Sequence, residues 1–250
     1  MYESFYRLRA KPFSLLPDPE FLFLSGRHKP GLNVLEYGLL NRAVFTVLTG
    51  EPGTGKTTLL NFIGALDRPD DGEILIEGVG DILRISDKSL SLYRNRIVGH
   101  IFQTFNLKPT YTSYENVRVP LLFSRISKSE QHERIAEALD AVGLYDRRHY
   151  KPVELSEGQC QRVAIARAIV NKPKILLADE PTGNLDPKTA ESIMSLLIRL
   201  NQNLNMTLLM VTHDLDVLKY AQKVFVLIQG KLSMNGDEYW RSKMRAFVSQ

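Results

Sequence analysis

One nine-residue stretch constrains the fold of this chain more than any other feature. Residues 50–58 read GEPGTGKTT and match the pattern G-x-x-x-x-G-K-[ST] in full. Its glycines allow backbone conformations in which N–H groups converge on phosphate oxygens. An apolar run at residues 45–48 predicts a strand before the loop, and residues 56–66 predict a helix whose positive N-terminus faces the phosphates. The loop therefore predicts nucleotide binding within an α/β fold, with contacts expected from Gly50, Glu51, Pro52, Gly53, Thr54, Gly55, Lys56, Thr57 and Thr58.

Two pairs of polar residues carry the chemistry expected at such a loop. Lys56 is expected to reach the β- and γ-phosphates of ATP, and the Thr57 hydroxyl is expected to ligate Mg²⁺. The unbroken apolar run at residues 174–178 is typical of a strand covered on both faces of a parallel sheet. Asp179 and Glu180 follow it, at the edge where ligands bind in open α/β sheets. Asp179 fits an outer-sphere partner of Mg²⁺, and Glu180 fits the base that orients or deprotonates the attacking water. Two adjacent carboxylates can also form a plain solvated turn, but the loop upstream favours the catalytic interpretation.

Two further predicted strands also end in polar residues. Residues 96–102 predict a strand before Gln103, and residues 206–212 predict a strand before His213. A glutamine at a strand end can bind Mg²⁺ through its carbonyl oxygen and can position the attacking water. A histidine on the same edge as Glu180 can donate to the γ-phosphate. Taken alone, this glutamine fits an ordinary surface residue and this histidine fits a structural one.

The stretch at residues 155–168, LSEGQCQRVAIARA, predicts a helix with an open N-terminus. Ser156 can cap this helix, and Gly158 leaves its N-terminus open to an anion. The alternative is a capped helix with no further role. Upstream, Ser127 and Glu130 have the spacing of a capping box that opens another helix.

Bulk composition excludes several classes of function. With 250 residues, a net charge of +4, 44% hydrophobic and 24% charged residues, the chain is ordinary for a soluble globular protein. No basic run argues for a nucleic-acid partner, and the single cysteine, Cys160, excludes an internal disulfide. No stretch approaches the roughly 20 apolar residues needed to span a bilayer. The N-terminus lacks the pattern of a signal peptide. We therefore expect a cytoplasmic protein without direct membrane insertion.

Residues from about 44 to 235 resemble the ATP-binding subunits of ABC transporters, and most of all the lipoprotein-releasing and macrolide-export group. The resemblance rests on the phrases NFIGALDRP at 61–69, ENV at 115–117 and ADEPTGNLD at 178–186, together with the helix start described above. It implies a P-loop NTPase with a RecA-like core and a mostly parallel sheet. It also implies a helical subdomain inserted at about residues 105–170.

The same resemblance implies how the protein works. Subunits of this family are ATPases that form head-to-tail homodimers. Two ATP molecules are held between the phosphate-binding loop of one subunit and the signature motif of the other, which the stretch at residues 155–168 resembles. They drive a transmembrane permease, for export or lipoprotein release, while bound peripherally at the inner face of the cell membrane. The signature here implies nucleotide contacts from Ser156, Gly158 and Gln159, and Asp186 falls in the loop that crosses between subunits. Glu157 stands where glycine is commoner, and we expect its side chain to point outward.

Residues 1–60 resemble a different family, the AAA-type ATPases of the general secretion pathway. That resemblance rests on PDPEFLFLS at 17–25 and VLTGE at 47–51. This N-terminal part is atypical, since it replaces antiparallel strands that usually carry the residue stacking on adenine. Two alternatives stay open: an AAA-type secretion ATPase, in which the signature has no place, and a nucleotide-binding fusion without transport activity. The expected division is a secretion-ATPase-like segment at 1–43, an ABC ATP-binding domain at 44–235 and a tail at 236–250.

Overall fold

A central sheet dominates the structure. The computed structural model describes residues 44–233 apart from 52, 77 and 229, so the predicted segments at 1–43 and 236–250 lie outside the described residues. Six strands form one sheet in the order β4-β5-β6-β1-β7-β8, and β2 and β3 form a separate antiparallel pair. The strands are β1 (Phe45–Gly50), β2 (Leu75–Ile76), β3 (Gly80–Asp81), β4 (Val98–Ile101), β5 (Ile175–Asp179), β6 (Thr207–Val211), β7 (Lys223–Ile228) and β8 (Lys231–Ser233).

Helices cover the sheet on both faces. Three of them, α3 to α5, lie in the chain between β4 and β5, where the inserted helical subdomain was predicted. A 3-10 helix, Val119–Phe123, follows α3 directly. Within the described part of the chain, no helix is long and apolar enough to cross a membrane. The α-helices are α1 (Lys56–Ile63), α2 (Asp87–Arg96), α3 (Ser113–Arg118), α4 (Lys128–Ala141), α5 (Glu157–Ile169) and α6 (Pro187–Asn203).

The sheet is parallel except at its β8 edge. Strands β4, β5, β6, β1 and β7 pair in parallel, whereas β8 pairs with β7 in antiparallel register. Every residue of β1, β5 and β6 is buried, as the unbroken apolar runs in the sequence predicted. The prediction of a P-loop α/β fold with a mostly parallel sheet is confirmed.

Alternate residues of the central strands supply two cores. Leu176 and Ala178 of β5 face a core formed with α3 to α6. Leu177, between them, faces a second core formed with α1, α2 and the small β2–β3 pair. This alternation follows from the two-residue repeat of a strand. Parallel pairing, in turn, places the carboxyl ends of β1, β5 and β6 along one edge of the sheet.

Two local predictions need correction. Ser127 accepts a hydrogen bond from the Glu130 N–H, as predicted, but the Glu130 carboxylate pairs with Arg134 at 2.7 Å instead of returning to the helix start. The reciprocal half of the capping box is therefore absent, because a cation four residues later competes for the carboxylate. Helix α1 ends at Ile63 and not at residue 66, since Ala65 takes a left-handed backbone with φ of 53°.

Candidate active site

The loop after β1 leaves the start of α1 open to a ligand. Gly53 and Gly55 have φ angles of 77° and 90°, which other residues rarely adopt. Gly55 is the N-cap of α1 and supplies no side-chain bond to the first turn. The N–H groups there are consequently available to an anion, and the helix dipole favours one. This geometry matches the phosphate-binding loop that the sequence predicted.

Lys56 is turned into the loop itself. Its ammonium donates to the backbone oxygens of Gly50 and Glu51, both at 2.8 Å, and the residue is only 6% exposed. Burial lowers the pKa of Lys56, although the nearby carboxylates of Glu180 and Asp179 partly offset that effect. The charge therefore lies inside the loop, where incoming phosphate oxygens would compete with the two carbonyls for its protons.

Thr57 and Asp179 lie together, although 122 positions separate them in the sequence. The Thr57 hydroxyl donates to the Asp179 carboxylate at 3.2 Å, and Asp179 is 6% exposed. Burial raises the pKa of the Asp179 carboxyl, while the bond from Thr57 acts in the opposite direction. A hydroxyl beside a carboxylate is a donor set that suits Mg²⁺. No group of three His, Cys, Asp or Glu side chains that could hold a metal occurs among the described residues, so other oxygen ligands, such as phosphate and water, would have to complete the coordination.

Glu180 follows β5 with an uncommon backbone. Its φ is 42°, in the left-handed region. The chain is held there because the Glu180 N–H donates to Val211 of β6 at 2.9 Å and the Glu180 oxygen accepts from Gly183 at 3.1 Å. The carboxylate contacts His213 Nδ1 at 2.8 Å. A strained backbone of this kind clusters at functional sites, and here it aims a carboxylate at the edge shared with the loop.

Gln103 lies beyond the end of β4, which pairs with β5 up to Ala178. Its backbone oxygen accepts from the Asn184 side chain at 3.3 Å, and its exposed side chain has no hydrogen bond among the residues described. Lys56, the Thr57–Asp179 pair and the Glu180–His213 pair form one cluster, because Asp179 and Glu180 are consecutive and both carboxylates act on the pKa of Lys56. Gln103 follows a strand of the same edge without joining this cluster.

The predicted signature opens α5. Ser156 accepts from the Gln159 N–H at 3.3 Å, and the Gln159 side chain accepts from the Ser156 N–H at 3.0 Å, so the predicted cap is a complete capping box. Glu157 is exposed, as expected. Gly158 is buried, and a Cβ atom there would lie 2.5 Å from Thr189 Cγ2 of α6. The glycine is therefore required by helix packing, a reason that the sequence did not reveal.

Asp186 caps α6. Its carboxylate accepts from the Thr189 N–H at 3.1 Å, and the bonds to Thr189 hold the pKa of Asp186 below its usual value. The Asp-Pro pair at positions 186–187, an N-cap followed by a first-turn proline, is the sequence signal for this helix start. The described hydrogen bonds of Ser156 stay at the start of α5, and none of them reaches the phosphate loop of the same chain.

A cavity of about 180 Å³ adjoins the strand before Gln103. His100 faces it, stacked on Phe102 with ring centroids 4.1 Å apart, and neither ring nitrogen has a partner among the described residues. Burial, with a smaller contribution from Arg167, lowers the pKa of His100 to about 4. Sequence reasoning missed this histidine because it interrupts a short apolar run without any ligand spacing.

Comparison with known proteins identifies the family of this chain. The model for the ABC transporter family matches residues 39–183. The uncharacterized ABC transporter ATP-binding protein YvrO of Bacillus subtilis is 46% identical over 191 residues, which are 76% of this chain and 82% of that protein. The lipoprotein-releasing system ATP-binding protein LolD of Geobacter metallireducens is 44% identical over 185 residues, 74% of this chain and 82% of LolD.

A solved structure shows the same architecture. The dimeric ATP-binding cassette MJ0796 of Methanocaldococcus jannaschii, bound to ADP and Pi in a post-hydrolysis state, superposes with a TM-score of 0.69 at 41% identity, covering 76% of this chain and 84% of that one. The chain therefore belongs to the ABC transporter family. Within that family it is an ATP-binding subunit, and it is an ATPase.

Proposed function

We propose that this subunit hydrolyses Mg²⁺-ATP to power a transmembrane permease in export or lipoprotein release, at the inner face of the cell membrane. The observation that carries the proposal is the single cluster in which Lys56, the Thr57–Asp179 pair and the Glu180–His213 pair meet at one sheet edge. Similarity to LolD, which is named for lipoprotein release, supports that branch of the proposal.

Each residue of the cluster, and Gln103 at the same edge, has a proposed role. Lys56 and the first turn of α1 bind the phosphates, and Thr57 and Gln103 hold Mg²⁺ with Asp179 behind them. When bound there, Mg²⁺ would supply charge neutralisation at the phosphate oxygens. Glu180 orients or deprotonates the attacking water, and His213 fixes the carboxylate through Nδ1 and keeps Nε2 for the γ-phosphate.

A homodimer would complete the site. In one chain the hydrogen bonds of Ser156 remain inside α5, and none reaches the phosphate loop among the described residues. A second copy, placed head to tail, can bring its own Ser156, Gly158 and Gln159 to the nucleotide bound at the phosphate loop of the first. Asp186 would lie in the loop that crosses between the two subunits. The MJ0796 cassette, which is similar over most of its length, is dimeric.

The cavity beside His100 is the surface that best fits the permease. Arg94 and Arg167 line it beside the neutral His100 and no acidic side chain of the described residues does, so it complements a segment that carries a carboxylate. Leu122 and Phe123, at its Pro120 side, are 55% and 77% exposed. We infer that the permease inserts a segment with acidic and apolar side chains here.

Glu180→Gln tests the assignment of the base. We expect retained ATP binding, a loss of turnover of about 10²- to 10⁴-fold and an ATP-trapped dimer, because the amide cannot take a proton. Phosphate release measures turnover, and size-exclusion chromatography with ATP measures dimerisation. Glu191→Gln, the same change at an exposed position of α6, is the matched control. Unchanged turnover in Glu180→Gln would contradict the assignment.

Purification with a membrane partner tests the transport role. We expect a transmembrane permease to co-purify with the full chain and to change its turnover when both are placed in vesicles. ATP binding without turnover, even with that permease, would instead support a fusion without transport activity. The resemblance of residues 1–43 to secretion ATPases stays a prediction, since that segment lies outside the described residues and the family match begins at residue 39.

A further inference from the structure

Gln161 is a buried amide in the second turn of the signature helix. It is 1% exposed, and its Nε2 donates to the backbone oxygen of Pro181 at 2.7 Å. Its Oε1 has no partner among the described residues. Burying an amide oxygen without a hydrogen-bond partner costs free energy of folding, so the bond that the same amide makes through Nε2 points to a role.

The acceptor of that bond is the residue after Glu180. Glu180 itself is fixed on the sheet side by its N–H bond to Val211 and closed into a turn by Gly183. Pro181 has no N–H to donate, so its oxygen is the backbone group through which α5 holds the turn. Gln161 therefore adds a restraint from α5 to the turn that holds the strained backbone of Glu180.

Other contacts make α5 and α6 move together. Gly158 packs so closely on Thr189 that a Cβ would lie 2.5 Å from it. One turn on, the Arg162 guanidinium donates to the Ser192 hydroxyl at 2.9 Å. A displacement of α5, the signature helix, would consequently displace the start of α6 as well. Gln161 connects the same helix to the turn at Glu180.

We propose that Gln161 is a positioning residue that transmits the orientation of the signature helix to Glu180. The nucleotide seated on Ser156 belongs to the opposite subunit, whereas Glu180 acts on the nucleotide in its own loop. Gln161 thus makes hydrolysis at one site depend on occupancy of the other. This inference rests on the proposed homodimer and on Glu180 as the base.

Gln161→Met tests the linkage, because methionine has similar length and no amide donor. We expect kcat to fall about tenfold, the KM for ATP to stay within about twofold, and the Hill coefficient for ATP to fall towards one. Asn201→Leu is the matched control, since it removes another buried amide-to-carbonyl bond, from Asn201 to Met206 at the far end of α6. The control should lose stability and keep kcat. An equal loss of kcat in both variants would overturn the inference.

Gln161→Glu gives a readout that packing alone would not move. A carboxylate at this position repels the Pro181 oxygen, whereas its protonated form donates to it. The ratio of variant to wild-type turnover should therefore rise as the pH is lowered from 8.5 to 6. This ratio also decides the matter if Gln161→Met does not fold, and a flat ratio would overturn the inference. If Glu180→Gln retains turnover, the assignment of Glu180 as the base is wrong, and the linkage to Gln161 is wrong with it. If Glu180→Gln is inactive but Gln161→Met keeps the wild-type kcat, only the linkage is refuted.

Discussion

The contact between Gly158 and Thr189 predicts the effect of a single added methyl group. In Gly158→Ala the new Cβ would lie 2.5 Å from Thr189 Cγ2, whereas ordinary van der Waals contact begins at 3.4 Å. Either the helices separate locally by about 0.9 Å or the Thr189 side chain leaves its rotamer. Overpacking of this kind costs about 1–3 kcal/mol, and alanine's higher helix propensity returns up to about 1 kcal/mol. We expect a net loss of about 1–2 kcal/mol, which lowers the Tm by about 2–8 °C.

Thr189→Ser supplies the compensating change. Serine lacks Cγ2, and the nearest remaining Thr189 atom is 3.8 Å from the added Cβ, an ordinary contact. The double variant should therefore recover the stability of Thr189→Ser alone, with a coupling free energy of about 1–2 kcal/mol. Denaturant unfolding of the wild type, both single variants and the double variant measures this coupling. A double variant as unstable as Gly158→Ala would refute the packing argument.

ATP turnover of the same four proteins separates two reasons for the glycine. If helix packing alone requires Gly158, turnover returns with stability in the double variant. If the nucleotide of the opposite subunit also needs the space, the double variant is stable and inactive. We expect partial recovery of turnover, because the proposed signature contact and the packing contact both involve this residue.

Two further predictions concern buried ionisable groups. His100 has a pKa of about 4 in the folded chain, below the value of 6.5 in the unfolded chain. Because the unfolded chain therefore binds the proton first, the free energy of unfolding falls by up to about 3 kcal/mol as the pH drops between those two values. His100→Leu should remove that part of the pH dependence when the free energy of unfolding is measured at pH 7 and pH 4.5, and parallel losses in both proteins would contradict it. Asp179→Asn should raise the Mg²⁺ concentration for half-maximal turnover about tenfold or more, because the amide lacks the negative charge that Asp179 places beside Thr57. ATP binding without Mg²⁺ should persist. Titration of Mg²⁺ against phosphate release measures this shift, and an unaltered midpoint would contradict the placement of the metal.

The sequence predicted the sheet and its polar edge well. Unbroken apolar runs mark β5 and β6 because both faces of these strands are covered, and a fully covered strand needs no polar alternation. Parallel pairing then places the residues after each strand at one edge. That geometric rule is why Glu180 and His213, 33 positions apart, could be predicted to lie close together before any contact was known.

Contacts between helices could not be read in the same way. Nothing in the sequence says that Gly158 faces Thr189, or that Gln161 reaches Pro181, since a helix period shows which face is apolar and not what covers it. The left-handed backbone of Glu180 was equally hidden, because glutamate does not signal that conformation as glycine or asparagine does. Whether the Glu130 carboxylate returns to the helix start or pairs with Arg134 likewise depends on side-chain geometry, which the spacing of residues in the sequence does not determine.

The backbone at Glu180 sets stability against catalysis. Glycine or asparagine suits a φ of 42° better than glutamate does, by about 1 kcal/mol. If Glu180 is the base, as proposed, we therefore expect Glu180→Asn to be more stable to unfolding and to lose turnover. The backbone of residue 180 is then a conformational cost that the fold bears for ATP hydrolysis.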